Sequence, residues 1–312
     1  MKNLALAFLA AFAPALLPAC AGTVETSQSS TGSSGATGAA GTTGATGSSS
    51  AASSGGPSVG PASVRFANLS VPLAPFDVCA GAQGGGLLAA EGLGAGLAFG
   101  QVSRYLPAPA GTTWTMVPAG AACVGPAGVA LEIAWPVGAD SGPVTVVVWN
   151  RPAFVKEIKA FAYLDEPLNQ QYGINLRVLD FLQFNVQDSA APAINVSQLG
   201  ETQPDPMPTQ LFPALQFAAV PTTSPMGPVT AAGFVHTPWV QVGLLEVFPE
   251  AYAGPLQTTA PVPVPPGAEG NAYGVGSIFV AGGIYDHTGR IIVCADDAPP
   301  QGALSSCTIP PQ

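Results

Sequence analysis

Few side chains in this sequence of 312 residues could do chemistry. It contains two histidines, His236 in "GFVHTPW" and His287 in "YDHTGR". Asp286 beside His287 suggests an acid–base pair, but Asp-His-Thr-Gly between two apolar runs is typical of a hairpin loop, with Gly289 in the left-handed conformation. Because adjacent residues of a tight turn seldom point at one substrate, we interpret this segment as a loop and predict no catalytic residue there.

Two adjacent carboxylate pairs, Asp165 with Glu166 and Asp296 with Asp297, are the other candidates. Held at a suitable separation, such a pair could act as the acid and base of a glycosidase, or its oxygens could bind calcium. Both pairs flank proline-rich turns, "DEPLNQ" and "DDAPPQ", where exposed, solvated acids are common. We therefore expect surface acids here, and the sequence predicts neither an enzyme nor a metal or cofactor site.

Five cysteines form an odd set. Four of them, Cys79, Cys123, Cys294 and Cys307, have no Cys-x-x-Cys spacing and no neighbouring histidine, which argues against zinc. Three pairings are open, and the sequential one (Cys79 with Cys123, Cys294 with Cys307) keeps each disulfide inside one half of the chain. Each bridge would add about 3 to 4 kcal/mol by restricting the unfolded chain.

The fifth cysteine, Cys20, ends a leader in which Lys2 precedes an apolar core, Leu4 to Leu17, that is too short to span a bilayer. Leu17-Pro18-Ala19-Cys20 resembles the lipobox of bacterial lipoproteins, with Pro18 as a departure from the usual small residue. Ordinary signal cleavage near this point is the alternative, but it would leave a lone thiol. We expect residues 1–20 to be a lipoprotein signal peptide and Cys20 to carry the lipid.

Residues 21–61 consist almost entirely of Ser, Gly, Thr and Ala. Such a segment cannot bury enough apolar surface to offset its ordering entropy, so we predict a disordered linker with a reach of roughly 35 Å. Eight basic against 18 acidic residues give a net charge of -10. This balance excludes nucleic acid as a partner, and an anionic membrane would repel the chain unless a lipid held it.

Short apolar runs separated by Pro and Gly follow the linker. "VALEIAWPV" alternates as a strand does, and "GPVTVVVWN" is a β-branched run typical of a core strand. Only "AFVKEIKAFAYLDEP", residues 153–167, is compatible with a helix. The pattern predicts an all-β protein with two tandem Ig-like or transthyretin-like β-sandwich modules, at residues 62–170 and 171–312.

The two halves echo each other at a fixed offset of 118 residues. This offset relates Asp77-Val78 to Asn195-Val196, and three later apolar positions in each half (Leu97, Phe99 and Val102; Leu215, Phe217 and Val220). Upstream, "VRFANLS" and "LRVLDFL" each place an arginine inside an opening strand. A shared offset over five positions favours duplication of one module.

The segments "VRFANLS", "LAPFDVC", "FGQVSRYLPAPAG" and "GPVTVVVWN" are similar to domain of unknown function 4397. The resemblance covers most of residues 62–150, with Asn68-Leu69-Ser70 in place of the family's His and turn Asp. It implies a β-sandwich and an envelope location, often in tandem copies on secreted or lipid-anchored bacterial proteins. It implies no chemistry, because the family has none assigned.

The four tryptophans divide into core and surface candidates. Trp114 and Trp135 lie in alternating apolar segments, which favours core packing, whereas Trp239 follows a proline-containing turn and is our candidate for a solvent-facing binding residue. Our hypothesis is a non-enzymatic lipoprotein of the bacterial envelope, at the outer membrane or cell surface, with a structural, adhesion or partner-binding role. A carbohydrate-binding module is the alternative, and a hydrolase is a third reading. A surface protein or a polysaccharide would then be the partner.

Overall fold

The computed structural model describes most of the chain from Ser63 onward. The described residues are 63–81, 86–108, 111–124, 128–151, 157–166, 173–183, 193–199, 209–237, 244–249, 256–257, 273–285, 287–296 and 298–310. The predicted signal peptide, Cys20, the linker and Trp239 lie outside this set.

Strands dominate the described part, as the all-β prediction requires. Its helical elements are one short helix, α1 (Leu87–Ala90), and a 3₁₀ turn at Ala139–Ser141. No helix in these ranges is long and apolar enough to cross a membrane. The strands are β1 (Ser63–Asn68), β2 (Phe76–Ala80), β3 (Leu106–Pro107), β4 (Trp114–Pro118), β5 (Val129–Leu131), β6 (Val144–Arg151), β7 (Glu157–Leu164), β8 (Gly173–Gln183), β9 (Ile194–Leu199), β10 (Thr209–Leu215), β11 (Val235–Thr237), β12 (Leu244–Pro249), β13 (Leu256–Gln257), β14 (Tyr273–Gly283), β15 (Arg290–Ala295) and β16 (Ser306–Thr308).

These strands form four sheets, two in each half of the chain. The first half has a sheet of order β3-β1-β6-β7 and a smaller one of order β2-β4-β5. The second half has a sheet of order β11-β8-β14-β15-β16 and another of order β10-β9-β12-β13. We call the sheets that contain β1 and β8 the inner sheets, and each half a repeat.

Each repeat is a sandwich with its own apolar core. In the first repeat, Val64 and Phe66 of the inner sheet pack against Val78 and Trp114 of the smaller sheet. In the second, Leu176 and Val178 occupy the same places relative to the other sheet of that repeat. The β-sandwich prediction is therefore confirmed.

A third core lies between the two inner sheets, and we call it the interrepeat layer. Its apolar members come from both repeats and include Ala67, Val147 and Tyr163 from the first and Leu179 and Phe279 from the second. β6 is therefore buried on both faces, which explains why it is a run of β-branched residues instead of an alternating strand. Four aromatic rings pack edge-to-face in the layer, with centroids 5.0–6.2 Å apart (Trp149, Phe161, Phe181 and Phe217).

The two repeats share pairing and register. β1 runs parallel to β6, and β8 runs parallel to β14. Phe76 bridges Leu97 in the first repeat, and Ile194 pairs with Leu215 in the second. The two pairs are equivalent, because the offset of 118 residues relates Phe76 to Ile194 and Leu97 to Leu215. This agreement favours duplication. The predicted boundary between residues 170 and 171 lies outside the described residues.

Both disulfides join the sequential pairs. Cys79 on β2 is bonded to Cys123, and Cys294 on β15 is bonded to Cys307, which faces it directly on β16. Each bridge thus closes a loop inside one repeat.

Two local predictions were wrong. Residues 157–164 form β7, where a helix seemed compatible, because the strand pairs with β6 over its whole length and buries residues on both faces. In the turn after β14, His287 and not Gly289 adopts the left-handed conformation, with φ of 57°. A Cβ on Gly289 would lie 3.1 Å from a methyl carbon of Leu256, so a larger residue there would require only a small shift of that side chain.

Candidate functional site: a buried charge cluster between the repeats

Two buried arginines lie at equivalent places on the first strand of each repeat. Arg65 is on β1 and Arg177 is on β8, and both are 0% exposed. Because side chains alternate along a strand, the neighbours Val64 and Phe66 face the first core while Arg65 faces the interrepeat layer. Parallel pairing then sets a hydroxyl beside each arginine, Thr145 opposite Arg65 and Ser277 opposite Arg177.

Two aspartates complete the cluster from the ends of neighbouring strands. Asp165 directly follows β7, and Asp296 directly follows β15. Equivalent backbone hydrogen bonds hold them, from Asp165 N to Pro143 O at 2.9 Å and from Asp296 N to Val275 O at 2.7 Å. The expectation of solvated surface acids was wrong for both residues, since their side chains are 1% and 3% exposed. We call Arg65, Arg177, Asp165 and Asp296 the charge cluster.

The ion pairs of the charge cluster cross from one repeat to the other. Arg65 Nη2 of the first repeat lies 2.7 Å from Asp296 Oδ1 of the second. Arg177 Nη2 of the second repeat lies 2.5 Å from Asp165 Oδ1 of the first. A longer contact of 3.6 Å joins Arg65 to Asp165 within the first repeat. The charges therefore join the two sandwiches directly.

Hydroxyl groups occupy the remaining positions around the carboxylates. Thr145 Oγ1 donates to Asp165 at 2.7 Å and accepts from Arg65 Nε at 2.8 Å. Ser277 Oγ donates to Asp296 Oδ2 at 2.6 Å and accepts from Arg177 Nη2 at 3.0 Å. The hydroxyls thus link the acid and the base at each end. They satisfy only part of the cluster, since Arg65 Nη1 and Nη2, Arg177 Nε and Asp296 Oδ1 are buried without a hydrogen bond.

Aromatic rings cover the two guanidinium groups. Arg65 lies 4.9 Å from the ring centroid of Tyr105, and Arg177 lies 4.5 Å from that of Phe234. Tyr105 and Phe234 occupy equivalent positions. Tyr105 directly precedes Leu106, which pairs with Val64 beside Arg65. Phe234 directly precedes Val235, which pairs with Leu176 beside Arg177. The Tyr105 hydroxyl also donates to Asp165 Oδ2 at 2.8 Å, a contact that Phe234 cannot make.

Burial and charge act in opposite directions on these groups. Burial disfavours the charged form of Arg65, but Asp296, Tyr105 and Asp165 outweigh this effect and raise its pKa. Burial also raises the pKa of the Asp296 carboxyl, and Arg65 opposes that rise. Burial likewise raises the pKa of the Tyr105 hydroxyl. Arg65, then Arg177 and the Ser277 hydrogen bond, thus favour the ionised form of Asp296 against the effect of burial.

A pocket of about 270 Å³ opens beside the charge cluster. Its lining includes Arg104 and Tyr105 of the first repeat and Asp296 and Ser305 of the second. Arg104 forms an ion pair with Glu91 at the rim. Ala298 and Pro300 also line the pocket. Arg104 N donates to Ala303 O at 2.9 Å.

The chemistry available to the cluster is that of a structural ion-pair network. Both Asp165 oxygens accept hydrogen bonds, from Thr145, Tyr105 and Arg177. Both Asp296 oxygens are engaged as well, one by Arg65 and one by Ser277. Each carboxylate is held by a guanidinium group, so neither is placed to act as a general base.

The remaining candidates from the sequence are scattered. His236 Nδ1 lies 3.0 Å from Asn175 Oδ1, and His287 is exposed on its turn, while Asp286 and Asp297 are outside the described residues. Glu166 accepts a hydrogen bond from Asn175 at 3.2 Å. In the described ranges, no group of three or more His, Cys, Asp or Glu side chains could hold a metal ion.

The tryptophans expected in the core are there. Trp114 is 3% exposed, Trp149 is 6% exposed, and Trp135 is partly buried against the first core. Trp239, the candidate binding residue, cannot be placed because it is outside the described residues.

Sequence reasoning noticed the two arginines as a mark of duplication but missed their role. The available signal was an arginine inside an apolar strand, in a chain with only eight basic residues. A buried cation requires a buried anion, and that requirement should have turned attention to the acids that end the later strands.

Comparison with known proteins adds no relative. No protein-family model matches this chain, and no curated protein matches its sequence. The fold and the charge cluster define an all-β protein of two packed sandwiches. The resemblance to domain of unknown function 4397 stays a prediction.

Proposed function

We propose that this protein is a non-enzymatic lipoprotein of the bacterial envelope, whose two-repeat head binds another surface component. The observation that carries the proposal is the crossed pairing of Arg65 with Asp296 and of Arg177 with Asp165. This pairing uses the two buried carboxylates, Asp165 and Asp296, to join the repeats, and each carboxylate is bound to an arginine. Such a network suits a scaffold that presents surfaces, and it does not suit a site for proton transfer.

The two disulfides and the predicted tether support an extracytoplasmic place. Disulfides persist in oxidising compartments, and both bridges here are formed inside the sandwiches. A lipid on Cys20 followed by a flexible linker would hold such a head away from the bilayer while leaving it free to turn.

The anchor is tested by metabolic labelling with a fatty-acid analogue. Wild-type protein is expected to take up the label, and Cys20→Ser is expected to lose it while the protein is still exported. Cys79→Ser together with Cys123→Ser is the matched control, since these cysteines are bridged and should leave the labelling intact. An unchanged label in Cys20→Ser would contradict the lipoprotein assignment.

The partner class is tested with the purified head on a polysaccharide pull-down and on a protein crosslinking assay at the cell surface. A protein crosslink without polysaccharide binding supports the proposal. Polysaccharide binding that is lost in Trp239→Ala would favour the carbohydrate-binding alternative, because exposed aromatic rings stack on sugars.

A further inference from the structure

A groove lies between the outer strands of two sheets of the first repeat. β5 is the outer strand of the β2-β4-β5 sheet, and β7 is the outer strand of the inner sheet. In the described residues, one parallel bridge joins Ile133, two residues after β5, to Ala160 of β7. Beside this bridge lies an open groove of about 510 Å³, which we call the edge groove.

Both walls of the edge groove are strand edges. Among the described residues, β5 pairs along one side with β4 and β7 pairs along one side with β6, and the Ile133–Ala160 bridge is the pairing on the other side. The open side of an outer strand presents backbone donors and acceptors, and an added strand can pair with them. An extended segment in the groove would continue the pairing that the Ile133–Ala160 bridge begins.

The side chains of the edge groove combine apolar surface with negative charge. Val129 is 41% exposed, and Ile158 and Phe161 are half-buried along the groove. Two exposed carboxylates line it, Glu132 and Glu157. The one cation of the lining, Lys159, lies 3.4 Å from Glu157, so the groove carries a net negative charge.

We propose that the edge groove binds an extended segment of a partner protein, with alternating apolar and basic side chains, by strand addition. The backbone edges would supply the affinity, the apolar wall would accept alternate side chains, and the carboxylates would select lysine or arginine. This inference rests on the proposed partner-binding function and names the chemistry of the partner.

The probe is a labelled eight-residue peptide of alternating valine and lysine, with a valine–glutamate peptide of the same length as its counterpart. We expect the mature protein in detergent to bind the lysine peptide in fluorescence anisotropy at low salt and not the glutamate peptide. Charge reversal at Glu132→Lys with Glu157→Lys should weaken binding by about tenfold, because two exposed attractions become repulsions. Asp140→Lys, an exposed acid outside the groove lining, is the matched control and should bind as wild type does.

A second peptide separates strand addition from simple ionic attraction. The lysine peptide N-methylated at alternate residues keeps its charge but cannot donate from one edge, and it is expected to lose binding. Equal binding of the methylated peptide would overturn the proposal, as would no binding of the lysine peptide to wild type. Sedimentation that shows self-association through the groove in place of peptide binding would overturn it too. In all these cases, fatty-acid labelling and surface crosslinking still report separately on the proposed function.

Discussion

At the scale of single residues, the interrepeat layer contains charges whose state depends on one another. Arg65 and Asp296 are almost completely buried, and each is the counter-ion of the other. Removing one member leaves the other charge in a dry environment, which costs much more than the pair contributes by itself.

We therefore expect Arg65→Met to lower the free energy of unfolding by roughly 3 to 5 kcal/mol in urea denaturation at neutral pH. Arg104→Met is the matched control, since its ion pair with Glu91 is a third exposed, and it should lose less than about 1 kcal/mol. The double variant Arg65→Met with Asp296→Leu should recover much of the lost stability. If Arg65→Met lowered the free energy of unfolding as little as Arg104→Met, Arg65 would not be the counter-ion that Asp296 requires.

Asp180 is a further buried acid, and it has a neutral counterpart in the first repeat. Asn68, its equivalent, donates from Nδ2 to Leu97 O at 2.9 Å. Asp180 Oδ1 accepts from Leu182 N at 2.8 Å, whereas its buried Oδ2 has no hydrogen-bond partner. Burial raises the pKa of the Asp180 carboxyl well above its usual 3.8, and the hydrogen bond from the Leu182 amide opposes the rise. The neighbouring Tyr163 of β7 also has a raised pKa, mainly because it is buried.

This pKa shift predicts the direction of a pH effect. The folded state keeps the Asp180 proton while the unfolded chain releases it above about pH 4, so this residue's contribution to stability falls as pH rises from there. Asp180→Asn removes the loss and supplies a donor, and it should raise stability at pH 7 by about 1 to 3 kcal/mol, with a smaller gain at pH 4. Urea denaturation across this range measures it, with Asp140→Asn on the surface as control. A gain that did not grow with pH would contradict the raised pKa.

At the scale of elements, the turn that connects β14 to β15 depends on a close approach of two backbone segments. Gly282 has φ of 96°, and a Cβ on it would lie 2.4 Å from Thr288 O. Gly81 has φ of 64°, with nothing within 4 Å of the equivalent Cβ. Alanine at Gly81 would therefore suffer backbone strain alone, whereas alanine at Gly282 would suffer backbone strain and a steric clash.

Gly81→Ala should cost about 1 kcal/mol from strain alone, and Gly282→Ala should cost more than about 2 kcal/mol because the turn must also move. The midpoints of urea unfolding of the two variants give the comparison. Equal losses would mean that the turn after β14 adapts without cost.

The sequence patterns predicted which segments form strands better than they predicted which faces of those strands are buried. The alternation of "VALEIAWPV", which contains β5, and the β-branched run of β6 identify strands, because local sterics and burial decide them. β7 was missed because Ile158 and Phe161 also recur at a helical spacing, and only the pairing with β6 shows that these residues are extended. The charge cluster was missed because the turn residues after Asp165 and Asp296 indicate solvent, and only the packing of the inner sheets shows that they are covered.

At the scale of the whole molecule, the interrepeat layer makes the two sandwiches interdependent. Its apolar residues come from both inner sheets, and the crossed ion pairs need both repeats to be folded. A sandwich that unfolded alone would expose this layer and leave two charges of the other sandwich without partners.

We therefore expect the head to unfold in one cooperative transition, with a calorimetric enthalpy equal to the van't Hoff enthalpy. The Arg177→Met variant should shift this transition to lower temperature and not confine its effect to one repeat. Two transitions in the wild-type protein would show that the sandwiches are energetically independent.

The parallel pairing of β1 with β6 also has a mechanical meaning. β1 lies between β3 and β6 and exchanges hydrogen bonds with β6 from Val64 to Asn68. A force applied along β1 from its amino end would load these bonds together, in shear, instead of opening them one at a time. If the proposed lipid anchor precedes this strand, the two sandwiches would resist tension between the cell and a bound partner.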